Sequence, residues 1–243
     1  MSTWNEITID GRPASVFVPA GPPRFGLLFL PDYNSRAPTA SRGFEQMLAR
    51  HHIACVAPHA DKTFWTDRPH AEFHAQLTAE RYLVDRVLPY FAQQWSLVER
   101  SVGLMGFGIG GQGALRQAFR HALRFPVVAA IAPSVEFQEW YYGDTPLMDL
   151  YPSKEYCRQD TALLNIHPTE FPPHIYFCMD PDDVEWVRGA DRLHEKLQAL
   201  GISHVADLST RAGGHSERYF EQMTAPAVEF LIQGLERESR RLM

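Results

Sequence analysis

Residues 102–113, VGLMGFGIGGQG, constrain the fold more than any other stretch of this chain. An apolar run ends at Phe107, glycines crowd the positions around Phe107 and Ile109, and helix-forming residues continue from Ala114. Glycine adopts positive φ at little cost and allows another backbone segment to approach closely. The pattern therefore predicts a strand that turns sharply into a helix.

The rest of the chain alternates short apolar runs with amphipathic segments of helical length, which is typical of a parallel sheet covered by helices. An antiparallel hairpin is predicted over 4–9 and 14–18, and later strands over 25–30, 53–57, 102–107, 127–132, 175–179 and 205–208. Predicted helices cover 44–51, 79–95, 114–121, 190–200 and 219–240. We expect one α/β domain over residues 1–243, with a mostly parallel sheet of about seven or eight strands.

Residues 136–173 are rich in aromatic residues, proline and aspartate and show no clean periodicity. We interpret them as a cap over the carboxyl edge of the sheet, where ligands bind in open α/β folds. Aromatic residues at this edge, Trp65, Trp140 and Tyr141, are candidates for lining a substrate pocket. Packing of the cap onto the sheet explains the same residues equally well, so both interpretations stay open.

Composition excludes several classes of function. The net charge is −6 and no basic run is present, which argues against a nucleic-acid partner. The N-terminus has no cationic start followed by an apolar stretch, and no apolar run approaches the roughly 20 residues that span a bilayer. The three cysteines show no C-x-x-C spacing and predict reduced, buried thiols. We expect a soluble, cytoplasmic protein without membrane contact.

The glycine-rich turn fits the nucleophile elbow, G-x-S-x-G, in which a strand-to-helix turn lifts a catalytic serine above the sheet. Gly106 and Gly110 occupy the two glycine positions of that motif, but the central position is Gly108. No cysteine or threonine stands within the turn to replace the serine. The scaffold for nucleophilic catalysis is thus predicted without its attacking atom.

An acid and a histidine follow this turn in the order that the elbow motif requires. The predicted strand 175–179 runs into Asp180, Asp182 and Asp183, and the last strand is followed by Gly213-Gly214-His215. A histidine there can reach the elbow, and an aspartate after the preceding strand can hold its imidazole in one tautomer. Together the three loops predict an α/β-hydrolase fold.

At these three loops the chain resembles the esterase D and S-formylglutathione hydrolase group of putative esterases. LMGFGIGGQGALR is similar to the elbow of that group, IYFCMDPDDVEW to its acid loop, and AGGHSERYF to its histidine loop. The resemblance covers roughly residues 25–235. It implies a carboxylic ester or thioester hydrolase scaffold that acts on small acyl esters without a cofactor.

The resemblance also implies roles for individual residues. Asp183 rather than Asp180 or Asp182 would be the acid, and His215 would be the base. The backbone N–H groups of Tyr33 and Ile109 would form the oxyanion hole.

The chain departs from the group in a second place besides Gly108. The loop after Leu30 reads Pro31-Asp32-Tyr33-Asn34, where the group usually has a His-Gly or Ser-Gly pair. Asp32 beside the hole would oppose a developing anion. We nevertheless expect Asp183 and His215 about 2.6–3.2 Å apart, and room for about one water beside Gly108. Gly108→Ser alone is then predicted to create esterase activity.

Several functions remain open at this stage. The chain is a catalytically impaired esterase or pseudoenzyme, a non-catalytic module that binds a small ligand or a partner, or an inactivated copy of an active esterase. A further alternative is that the Asp183–His215 pair activates water or abstracts a proton. A homo-oligomer is possible.

Metal and dinucleotide sites are not expected. His70 and His74 have the i, i+4 spacing of helical metal ligands but lack the H-E-x-x-H glutamate position and a nearby third ligand. The glycine run is spaced G-x-G-x-G-G and is not followed by the acidic residue of a dinucleotide fingerprint.

Overall fold

The computed structural model describes residues 2–74 and 76–241. An eight-stranded sheet has the order β1-β2-β4-β3-β5-β6-β7-β8. The strands are β1 (Thr3–Ile9), β2 (Arg12–Val18), β3 (Phe25–Leu30), β4 (Ile53–Pro58), β5 (Val102–Phe107), β6 (Val127–Ile131), β7 (His174–Cys178) and β8 (Val205–Asp207). The β1–β2 and β2–β4 pairs are antiparallel, and all other pairs are parallel. This confirms the predicted α/β fold.

In residues 2–74 and 76–241, eight α-helical segments accompany the sheet. They are α1 (Arg42–Arg50), α2 (Ala79–Tyr82), α3 (Leu88–Trp95), α4 (Ile109–Arg120), α5 (Leu147–Leu150), α6 (Lys154–Gln159), α7 (Val187–Ala199) and α8 (Glu217–Arg241). None of the helices in the described part of the chain is both long and apolar enough to pass through a membrane.

The predicted helix over 79–95 contains an irregularity that its periodicity did not indicate. The side chain of Thr78 caps its start by accepting the N–H of Arg81, as expected from its residue type. A π-helical stretch, Leu83–Val87, then separates α2 from α3. Its apolar residues Leu83, Val84 and Val87 are all buried, so the hydrophobic pattern is that of a buried helix and does not reveal the change of hydrogen-bond period.

The core lies on both faces of the parallel strands. Every residue of β3, β4 and β6 is buried, which explains why these strands are continuous apolar runs rather than alternating ones. The three cysteines are free and buried, Cys55 and Cys178 within strands and Cys157 in α6.

Residues 136–173 form no regular sheet or long helix but fold as short helical turns, including α5, α6, Phe137–Tyr142 and Ala162–Leu164. A buried ionic cluster ties this excursion to the rest of the fold. Arg116 of α4 pairs with Glu80 of α2 and with Asp160, which follows α6. Its side chain is only 1% exposed. The excursion is therefore anchored by charge as well as by apolar packing.

Candidate active site

The turn between β5 and α4 has the geometry expected from its glycines. Gly108 has φ +57° and ψ −123°, and its carbonyl accepts the N–H of Gln112 at 3.0 Å. A Cβ at Gly110 would collide with the carbonyl oxygens of Leu30 and Pro31. Glycine at this second position is therefore what lets α4 begin directly against the end of β3. It also explains why α4 starts at Ile109, five residues before the predicted start.

The loop that carries His215 is held by Asp180, a residue for which no role was predicted. One Asp180 oxygen accepts the N–H groups of Ala212 at 2.6 Å and Gly214 at 2.8 Å, and the other accepts that of Asp182 at 2.8 Å. Burial would raise the pKa of Asp180, but these backbone hydrogen bonds hold it below its usual value. The sequence showed only that Asp180 follows a strand and precedes turn residues. Its contacts with Ala212 and Gly214, more than 30 positions away, could not be predicted from that pattern.

Asp183 and His215 meet at the carboxyl edge of the sheet. Asp183 Oδ2 lies 3.1 Å from His215 Nδ1, within the expected reach, and the Asp183 side chain is 3% exposed. The Phe107 ring packs on the imidazole with a centroid separation of 4.7 Å. Asp182, the neighbouring candidate, instead pairs with Arg211 on the surface.

The side chain of Asp32 occupies the position where a reacting group would be expected. Its Oδ1 accepts the N–H of Tyr33 at 2.7 Å and the N–H of Ile109 at 2.8 Å. Its Oδ2 lies 3.0 Å from His215 Nε2. The two amides named as the oxyanion hole thus converge on a single oxygen, as such a hole requires, but that oxygen belongs to the chain itself.

The expectation of space for a water beside Gly108 is therefore wrong, because the Asp32 carboxylate fills that space. A Cβ added to Gly108 would lie 2.6 Å from Asp32 Oδ2 and closer still to its Cγ and Oδ1. Real Cβ atoms do not approach other heavy atoms so closely. Serine at position 108 thus requires the Asp32 side chain to leave this position, and the esterase activity expected of Gly108→Ser depends on that movement.

The surroundings of His215 favour its protonated form. Burial lowers its pKa, but hydrogen bonds and charge from Asp183 and Asp32 outweigh that effect and raise it to about 9. The imidazolium donates from Nδ1 to Asp183 and from Nε2 to Asp32. A protonated imidazole has no lone pair with which to accept a proton, so it is not a general base while both carboxylates are ionised.

Two of the three aromatic candidates do not line a pocket. Trp65 is fully buried, packs against α4 at Gly113 and donates its indole N–H to the Pro31 carbonyl at 3.2 Å. Tyr141 is 7% exposed and donates its hydroxyl to the Tyr151 carbonyl at 2.9 Å. Both belong to the packing of the cap and loops, because a buried hydroxyl or indole N–H that already has a backbone partner has no free group to present to a ligand.

Trp140 lies nearer the site. It packs edge to face against Tyr33, with ring centroids 5.8 Å apart, and against Trp186 at 5.2 Å. Its indole N–H donates to Glu185 Oε1 at 2.6 Å. Trp140 therefore supports the loop that carries one oxyanion-hole amide, although it does not line either of the clefts described below.

Two clefts flank that loop. A cleft of 610 Å³ opens onto Asp32 and His215 and has apolar walls that include Phe29, Phe107 and Phe220. A second cleft of 520 Å³ is lined by Tyr33, His70 and the acidic residues Glu72, Asp144 and Asp149, among others. The first cleft is the one from which a ligand can reach the polar centre.

His70 and His74 do not form a metal site with their neighbours. Within residues 2–74 and 76–241, no group of three or more histidine, cysteine or carboxylate side chains is arranged to hold a metal ion. His74 Nδ1 instead accepts the backbone N–H groups of Gln76 and Leu77, both at 3.0 Å.

Comparison with known proteins agrees with this architecture. A family model described as "putative esterase" matches residues 30–239. No match is found among curated proteins.

Among solved structures, an S-formylglutathione hydrolase from Agrobacterium tumefaciens is 16% identical with a TM-score of 0.75, covering 97% of this chain and 94% of the other. A ferulic acid esterase is 14% identical with a TM-score of 0.73, covering 96% and 98%. The fluorophosphonate-binding serine hydrolase F of Staphylococcus aureus is 16% identical with a TM-score of 0.71, covering 96% and 97%. These likenesses establish a shared fold.

Proposed function

This chain belongs to the putative esterase family, and we propose that it has lost acyl transfer to a serine while keeping a cleft that binds a small ligand. The position of the Asp32 carboxylate supports the proposal. It accepts the N–H groups of Tyr33 and Ile109, the two amides expected to form the oxyanion hole, and it lies within hydrogen-bond distance of His215. A substrate carbonyl cannot enter a hole that already contains an anion. The cleft beside it remains open and has 610 Å³ of space.

Two other functions that the sequence left open are less well supported. An inactivated copy that differs from an active esterase only at position 108 is disfavoured, because a serine Cβ would meet Asp32. Activation of water by Asp183 and His215 is disfavoured because the pKa of His215 is raised to about 9. At neutral pH the imidazole is then already protonated.

A fluorophosphonate probe tests the proposal, since it labels activated serines and one structural neighbour is named for binding such compounds. Wild type and Gly108→Ser are expected to remain unlabelled and to hydrolyse p-nitrophenyl acetate at background rates. Asp32→Gly/Gly108→Ser removes the clash and empties the hole, so this double variant is expected to gain both labelling and hydrolysis.

Adding His215→Ala to the double variant is the matched control. It should remove the gain, because His215 freed from Asp32 is the base that activates the new serine. Circular dichroism and thermal unfolding establish that each variant is folded. Wild-type labelling or ester turnover as fast as that of the double variant would contradict the proposed loss of acyl transfer.

A further inference from the structure

Asp32 has the contacts of a nucleophile rather than of a structural loop residue. Its Oδ1 is fixed by two backbone N–H groups, and its Oδ2 faces His215 at the cleft. The side chain is 23% exposed, so it is reachable from the cleft. We propose that Asp32 is itself the nucleophile of this site, attacking an sp3 carbon of a small alkyl substrate to form an alkyl ester on its own carboxylate.

The walls of the cleft favour an alkyl substrate. Phe29, Ala37, Phe107 and Phe220 give the cleft onto which Asp32 opens an apolar part, and Ser35, Arg36 and Glu217 are among its polar lining residues. In an in-line displacement the leaving group departs on the side of the carbon opposite the attacking oxygen. His215 Nε2 lies on the attacking side, 3.0 Å from Oδ2, and cannot protonate the departing atom. The substrate class is therefore an alkyl group on a leaving group that departs as a stable anion, such as a halide.

The first step forms one bond and breaks one. A lone pair on Asp32 Oδ2 makes the new C–O bond, and the carbon–halogen bond breaks with its electron pair going to the halide. The ester has no negative charge, so His215 loses one of the two carboxylates that stabilise its protonated form. Its pKa falls, and the Nε2 proton leaves to solvent through the cleft.

The second step regenerates the carboxylate. Neutral His215 takes a proton from water, and the resulting hydroxide attacks Asp32 Cγ. The carbonyl electron pair moves onto Oδ1, which already accepts the N–H groups of Tyr33 and Ile109. The intermediate collapses by breaking the bond between Cγ and the alkylated oxygen, and the departing alcohol takes its proton from His215. Asp32 is left as the carboxylic acid, and its proton passes to the neutral His215, which restores the carboxylate and the imidazolium. The sum is alkyl halide plus water giving alcohol, halide and a proton.

The proposed mechanism also accounts for glycine at position 108. A Cβ at position 108 would overlap the Asp32 carboxylate, so a side chain at the elbow would displace Asp32 from the position in which it can act as nucleophile. The inference rests on the proposed loss of acyl transfer. If acyl transfer is not lost, wild type reacts with the fluorophosphonate probe and hydrolyses esters. The experiment on alkyl substrates measures neither property, so the two failures are distinguishable.

The test uses the full chain with 1-bromoalkanes from ethyl to octyl in ¹⁸O-labelled water. Wild type is expected to release bromide, and one turnover should place ¹⁸O in the Asp32 carboxylate and not in the alcohol. His215→Gln lacks the base for the second step, so bromide release should fall by about 100-fold or more. That variant should accumulate one alkyl group on the peptide containing Asp32.

Asp32→Asn should show neither bromide release nor an adduct. Asp182→Asn removes an exposed carboxylate from the neighbouring loop and should behave as wild type. Absence of both label and adduct at Asp32 in folded wild type across the alkyl series would overturn the inference. Alkylation spread over exposed carboxylates, with no preference for Asp32, would overturn it as well.

Discussion

At the residue scale, the central feature is the pairing of Gly108 with Asp32. The sequence showed each departure separately, a missing serine and an aspartate beside the hole. Sequence alone did not reveal that one makes room for the other, because positions 32 and 108 meet only when the end of β3 lies against the start of α4. The strand order predicted His215 and an aspartate among residues 180–183, and only the family resemblance selected Asp183 from them.

The charge on His215 has a measurable consequence for stability. Its folded pKa of about 9 lies above the roughly 6.5 of an unfolded histidine. A raised pKa contributes stability that is fully present below pH 6.5 and is lost as pH rises through 9. Between about pH 6 and pH 9.5, wild type should therefore lose on the order of 3 kcal/mol of unfolding free energy more than His215→Gln. Urea unfolding at the two pH values measures this, and parallel pH profiles would contradict it.

At the element scale, strands were predicted more closely than helices. The inner parallel strands β3, β4, β5 and β6 are buried on both faces and bounded by turn residues, so their bounds shift by no more than about one residue. The start of α4, the π-helical stretch Leu83–Val87 and the short turns within 136–173 depend on tertiary contacts. Local periodicity carries little information about such contacts.

The buried cluster around Arg116 makes a prediction for the excursion that contains Asp160. Arg116→Met leaves Glu80 and Asp160 without their buried partner and should lower the free energy of unfolding by about 3–5 kcal/mol. Arg158→Met is a matched control because Arg158 pairs with Glu155 on the surface, and it should change stability little. Urea unfolding of the two variants tests the contrast. Equal decreases in the free energy of unfolding for the two variants would contradict a stabilising role that depends on burial of the Arg116 cluster.

At the scale of the whole molecule, the chain has the fold of the putative esterase family, with the Asp32 carboxylate where three loops meet. The sheet, the turn from β5 into α4, and the contact of Asp183 with His215 have the arrangement that the sequence predicts. What differs is which group sits at the centre, the Asp32 carboxylate rather than a serine hydroxyl. We infer that the chemistry of this site depends on positions 32 and 108, which lie in two loops.

The Ile109 amide reports most directly on whether Asp32 occupies the oxyanion hole. The two residues are 77 positions apart, so a response of Ile109 to substitution at Asp32 reflects contact in the folded chain. In ¹H–¹⁵N NMR spectra, Asp32→Ala should move the Ile109 amide proton upfield and speed its exchange with solvent on the order of 10- to 100-fold, because a charge-assisted hydrogen bond is lost. Asp182→Ala should leave that amide as in wild type. An Ile109 amide with the same shift and exchange rate in wild type and Asp32→Ala would contradict the occupied hole.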